Sequence, residues 1–152
     1  MVAIDAGYKH YAGFPGECEK IGLDPEQNNY FTNASIYLGR IEENYLTNVY
    51  HRKKIGPFGL KNSVTIKDGY HLLDDGEVTT VGDIKIKAFL LPGHTLGHMA
   101  YLINDEMLFT GDSIALNREG GWCFFDIFNY DSKLNIESLQ SLKEKLDLDA
   151  IR

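Results

Sequence analysis

The stretch DIKIKAFLLPGHTLGHMAYLINDEMLFTGD, residues 83–112, decides the architecture. Residues 83–91 set Ile84 and Ile86 against Lys85 and Lys87, the alternation of a strand with one wet side, and Pro92-Gly93 stops it. Residues 99–103 and 107–110 flank Asn104-Asp105-Glu106 as a hairpin. The heptapeptide Pro92-Gly93-His94-Thr95-Leu96-Gly97-His98 therefore leaves one strand end, and Thr110-Gly111-Asp112-Ser113 leaves another.

Outward from that core, the apolar pattern keeps changing period. Upstream, residues 64–66, 70–73 and 77–81 read as short strands ending at Lys67-Asp68-Gly69, Asp74-Asp75-Gly76 and Gly82-Asp83. Residues 2–5 and 35–38 are further strand candidates. Residues 40–49 place Ile41, Tyr45 and Val49 four apart, which predicts a helix with Glu42 and Glu43 facing away from its buried stripe. Near the carboxyl end Asn135 is a reasonable N-cap for a helix through Leu146, with Leu139, Leu142 and Leu146 buried and Lys143 and Lys145 near its negative end. Strands in the middle with helices on either side suit an α/β layered sandwich better than a bundle.

The chain has 152 residues, 43% of them apolar and 12% aromatic, enough for the core of one domain, and no linker or repeat divides it. A formal charge of -7 argues against a nucleic-acid partner, and the one basic cluster, Arg52, Lys53 and Lys54, reads as a solvated face. No apolar window spans a bilayer and no secretory pattern opens the chain, so a soluble, cytoplasmic protein without a membrane partner is expected. Cys18 and Cys123, with no CxxC spacing, read as unpaired thiols in a reducing compartment.

The two strand ends carry the chemistry. A histidine on a Gly-flanked turn can point its ring outward, and a carboxylate after Thr110-Gly111 can approach the same point. Imidazole with carboxylate suits zinc, iron or manganese, yet a catalytic zinc takes three protein ligands. The plainer alternative is that His94 and His98 only cap or hydrogen-bond a turn.

PGHTLGH, the hairpin and FTGD at this separation resemble the metallo-β-lactamase superfamily, and Ile4-Asp5-Ala6-Gly7 is similar to its early strand ending in Asp-x-Gly. The resemblance implies a four-layer αβ/βα sandwich over residues 1–152, incomplete, with His94 a metal ligand and Asp112 a carboxylate bridging two ions. It makes Asp112 catalytic by orienting the attacking hydroxide, and makes Thr95 and His98 residues that hold the loop behind the ligands. It further implies one or two metal ions, zinc first and iron or manganese next, that lower the pKa of a water toward ~7 for attack on an ester, thioester, amide or phosphoester in a small-molecule substrate.

The family's HxHxDH string should follow Gly22-Leu23-Asp24-Pro25-Glu26, where this chain runs Gln27-Asn28-Asn29-Tyr30-Phe31-Thr32-Asn33. A later family histidine is also missing, and the sequence stops at Ile151-Arg152 where the next strand is expected. A second reading is therefore a catalytically inactive, truncated or degenerate copy of the fold that serves as a scaffold or partner-binding domain. His10, His51, His71, Cys18 and Cys123 show no ligand spacing, with His10 expected in solvent and His71 partly buried in a strand. The aromatic run at 120–125 reads as core before pocket wall, Tyr101 and Phe109 as strand packing, and Asp126 and Asp131 as turn or cap residues.

Overall fold

The computed structural model describes residues 35–51, 54–55, 58–59, 69–116, 122–123 and 126–147. The chain divides into two units, Met1–Ile36 and Tyr37–Arg152, and apart from Ser35 and Ile36 every described residue falls in the second. The expectations placed on residues 2–5, 10, 18, 24–33, 52–53 and 64–66, and on the side chains of 120–125, lie outside the described residues.

The alternating stretch forms the centre of a four-stranded antiparallel sheet. Its strands are β5 (Val78–Val81), β6 (Ile84–Leu90), β7 (Met99–Ile103) and β8 (Met107–Phe109), in that spatial order. Before them come β1 (Ile36–Gly39), the helical turn α1 (Glu43–Leu46), β2 (Lys54–Ile55), β3 (Phe58–Gly59) and β4 (Tyr70–Leu73), with β1 paired to β4 and β2 to β3. After them come β9 (Ala115–Leu116), β10 (Trp122–Cys123) and the long helix α2 (Ser132–Leu146).

Register explains how β6 and β7, at the centre of the sheet, bury side chains on both faces while Lys85 stays exposed. Opposite pairs Ala88 and Tyr101, Phe89 and Ala100, and Leu90 and Met99 each match a large side chain with a smaller or flexible one. Phe89, Leu91, Ala100 and Leu102 face Leu142 of α2, with Leu108, Leu139 and Leu146 packed around them. The alternate residues Ala88 and Met99 face the other way, onto Leu73 of β4 with Tyr37, Leu90 and Tyr101. Helix, sheet and strand pair thus make three layers, the mixed α/β sandwich that the pattern predicts.

Several local expectations change. Residues 40–49 form one helical turn, because Asn48 takes φ 59° and ends it, leaving Val49 65% exposed. Glu42 and Glu43 do not face water alone: Glu42 Oε2 accepts from Thr95 Oγ1 at 2.6 Å and Glu43 Oε1 accepts from Tyr70 Oη at 2.6 Å. Helix α2 starts earlier than Asn135. Asp131, in extended conformation, is the N-cap and accepts from Leu134 N at 3.0 Å, while Asn135 is fully buried inside the helix. His71 is exposed, not partly buried, and stacks on Tyr37 with ring centroids 5.0 Å apart. Phe109, opposite Tyr101 across the strands, keeps 40% of its surface in solvent, since β8 is the edge of the four-stranded sheet.

Candidate metal centre

The 92–98 loop is held from both sides. Leu91 N donates to His98 O at 2.8 Å and Gly93 N to Thr95 O at 2.9 Å, which folds the loop on itself. On one side it packs on the 41–42 turn, where a Cβ on Gly97 would lie 2.2 Å from Glu42 N. On the other it packs on the start of α2, where a Cβ on Gly93 would lie 2.3 Å from Asn135 Cα. Glycine is needed at both positions for close approach.

That packing corrects one expectation about His94. Its ring does not point into open solvent: the side chain is 16% exposed, with Nε2 3.5 Å from Asp112 Oδ2 and Nδ1 3.2 Å from Asn129 Oδ1. Asp112, by contrast, keeps 72% of its side chain exposed on the 3-10 turn Gly111–Ser113 after β8. The edge of the His98 ring lies against His94, with centroids 5.6 Å apart, and its Nε2 donates to Thr110 O at 2.9 Å. His98 thereby ties the first loop to the turn that carries Asp112, and a Cβ on Gly111 would sit 2.8 Å from its ring. Thr95 is buried and ties the same loop to Glu42. Tyr45, on α1, adds a third tie by accepting from Leu96 N at 3.2 Å.

The donor atoms can be tested against a metal ion. Bonds of about 2.1 Å at the tetrahedral angle place two ligand atoms about 3.4 Å apart, and the observed imidazole-to-carboxylate separation is 3.5 Å. The pair therefore fits two positions on one zinc-type ion. Among the described residues no group of three or more His, Cys, Asp or Glu side chains converges, and a catalytic zinc takes three protein ligands, of which His94 and Asp112 could supply two. His51 and His71 lie on exposed surface and are not brought to the pair. A cavity of about 250 Å³ between β6 and α2, lined by Leu90, Ser138 and Lys145, contains neither residue and is not the site.

The 126–135 segment supplies what reading the sequence missed. Tyr130 N donates to His94 O at 3.0 Å and Asp131 N to Gly93 O at 2.9 Å, so the chain entering α2 straps the first loop. Asn129, 1% exposed, contacts the His94 ring, and buried Asn135 donates from Nδ2 to Ser113 O at 2.9 Å beside Asp112. Asp131, a cap-type residue before a periodic run, marked where such a strap begins; nothing in the sequence marked that it would meet His94.

No family model matches the chain. Over 43 residues it is 44% identical to a hydroxyacylglutathione hydrolase of Maricaulis maris, a match covering 28% of this chain and 17% of that protein. Over 42 residues it is 48% identical to a probable polyketide biosynthesis zinc-dependent hydrolase of Bacillus velezensis, covering 28% of this chain and 18% of the relative. These matches therefore span less than a fifth of either relative. A solved N-acyl homoserine lactone hydrolase, with N-hexanoyl-L-homoserine bound at its catalytic metal centre, superposes with a TM-score of 0.56 at 19% identity, covering 91% of this chain and 59% of that one. The fold is thus of the metallo-β-lactamase type, and the chain spans only part of the length of the relatives and of the solved structure it matches.

Proposed function

We propose that the chain carries part of the active centre of a metal-dependent hydrolase of the metallo-β-lactamase superfamily, with His94 and Asp112 as two of the metal ligands. The observation that carries this reading is the 3.5 Å approach of His94 Nε2 to Asp112 Oδ2, atoms that arrive from two separate strand ends. Zinc is the first choice, with iron or manganese next, because one nitrogen and one carboxylate donor suit all three. A divalent ion held there would act as a Lewis acid and lower the pKa of a water toward ~7. The protein's own contribution is position. Asp112 stays open, so water and a small-molecule substrate reach its carboxylate, while the covered His94 ring is kept in place by the loop packing around it.

Among the ester, thioester, amide and phosphoester substrates open to such a centre, acyl compounds come first. One relative is named for hydroxyacylglutathione and the lactone hydrolase for an acyl homoserine lactone, both with an electrophilic carbonyl. The competing reading is a scaffold that has lost catalysis, in which His94 and Asp112 remain paired without a third ligand.

Cobalt titration followed by its visible absorption, together with zinc analysis, separates the two. One ion per chain is expected, with His94→Ala and Asp112→Ala each weakening binding at least about tenfold. Hydrolysis of an acyl homoserine lactone or a glutathione thioester by the metal-loaded protein would then complete the case. Equal binding by all three proteins, or none by any, would overturn the ligand assignment and leave the scaffold.

A further inference from the structure

We infer that Asn129 is a positioning residue that holds His94 as the Nδ1–H tautomer and so presents the bare Nε2 toward Asp112. The inference follows from a run of four side chains. Asp126 and Ser132 stand on either side of Asn129 in sequence, and Ser132 Oγ donates to Asp126 Oδ1 in a short contact. A carboxylate only accepts, so the single hydroxyl proton of Ser132 is spent on Asp126. Ser132 Oγ then has only lone pairs for its other neighbour, the Asn129 amide 3.1 Å away. The amide must therefore turn its Nδ2 to Ser132, which aims Oδ1 at His94 Nδ1, 3.2 Å away. An amide oxygen also only accepts, so the proton of a neutral His94 ring sits on Nδ1.

Burial makes this arrangement hard to reverse. Asn129 is 1% exposed, so an amide turned the other way would set its Oδ1 against the lone pairs of Ser132 Oγ and leave a buried polar group without its hydrogen bond, at a cost of about 1–3 kcal/mol. The direction of every hydrogen bond in the run is thus dictated from the solvent end, by the exposed carboxylate of Asp126. The result at the inner end is a nitrogen lone pair facing a carboxylate oxygen across 3.5 Å, an electron-rich pair that a cation reconciles. The inference rests on the proposed metal site only for what Nε2 receives; the tautomer itself is a property of the protein without metal.

The test uses the whole chain and begins without metal. Long-range proton–nitrogen correlation spectra of the neutral His94 ring should show Nδ1 protonated and Nε2 bare. Asn129→Ala should redistribute the ring toward the other tautomer, whereas Asn129→Asp, which keeps an acceptor facing Nδ1, should restore it. Ser132→Ala removes the anchor without touching histidine and should produce a mixture. Zinc affinity should follow, falling about 10- to 100-fold in Asn129→Ala and recovering most of the way in Asn129→Asp. Thermal melts identify any variant that fails to fold, and Ser132→Ala, at the first turn of α2, keeps the idea testable if Asn129→Ala does not. An Nε2–H tautomer in the starting protein, or an Nδ1–H tautomer untouched by all three substitutions, overturns the inference. A tautomer that depends on Asn129 in a protein that binds no zinc upholds it and rejects the metal reading instead.

Discussion

Residue by residue, the loop that carries His94 is shaped more by what is missing from its glycines than by what its polar groups do. Gly93 has φ +143°, and a Cβ there would meet the Cα, Cβ and N of Asn135 at 2.3, 2.3 and 2.5 Å. Backbone atoms inside a helix cannot swing aside, so Gly93→Ala must push the loop off α2 or unwind the helix start. A loss of about 2–3 kcal/mol is expected, combining overpacking with a disfavoured backbone, and zinc affinity should fall with it. Gly76 is the control: its φ is +79° but nothing lies within 4 Å of an added Cβ. Gly76→Ala should cost only the left-handed backbone penalty of about 1 kcal/mol, with metal binding unchanged. Urea unfolding read beside a zinc titration measures both; equal losses for the two variants would mean that the Gly93 contact is not what holds the loop.

At the scale of elements, legibility followed the kind of signal each stretch carries. Strand residues 84–90 and 99–103 were legible because apolar alternation and the Pro-Gly and Asn-Asp-Glu breaks agree on where they start and stop. Helix α2 was legible in its buried stripe, Leu139, Leu142 and Leu146, but not at its first turn, since Asp131 and Asn135 are both cap-type residues and periodicity does not choose between them. Tertiary packing chose: Asn135 is taken inside by Ser113 O, and Asp131 is fixed by its own amide on Gly93 O. The candidate site divides the same way. His94 and Asp112 were legible from motif spacing, whereas Asn129 was not, because its contact with His94 joins segments far apart in the chain. The cap assignment has a direct consequence. Asp131→Ala should destabilise by about 1 kcal/mol while Asp131→Ser keeps most of the stability, because a hydroxyl also accepts from the Leu134 amide. A silent Asp131→Ala in denaturant unfolding would return the cap to Asn135.

At the scale of the whole molecule, the buried centre of the sheet ties stability to pH through the side chain of Tyr101. No helix among the described residues is long and apolar enough to cross a membrane. Ion pairs such as Arg40 with Asp74 at 2.7 Å and Lys85 with Asp105 at 2.7 Å stand about half exposed, where salt screens them. The Arg40 guanidinium does hold the Asp74 carboxyl below its ordinary range, but on open surface that decides little. Tyr101 differs. It lies on β7 against Leu73, Ala88 and Met99, and burial, with a smaller push from the charge of Glu42, raises its phenol above the usual tyrosine value. A phenol raised in the native state is more readily ionised in the unfolded chain, so its contribution is fully present below about pH 10 and is lost as pH rises through the raised value. Stability of the native chain should therefore fall on the alkaline side beyond about pH 10, and Tyr101→Phe should flatten that fall relative to the parent while leaving the profile near neutrality unchanged in slope. Denaturant midpoints for both proteins from neutrality into that range measure the difference. Parallel profiles would show that ionisation of Tyr101 does not control alkaline unfolding and that exposed groups dominate it.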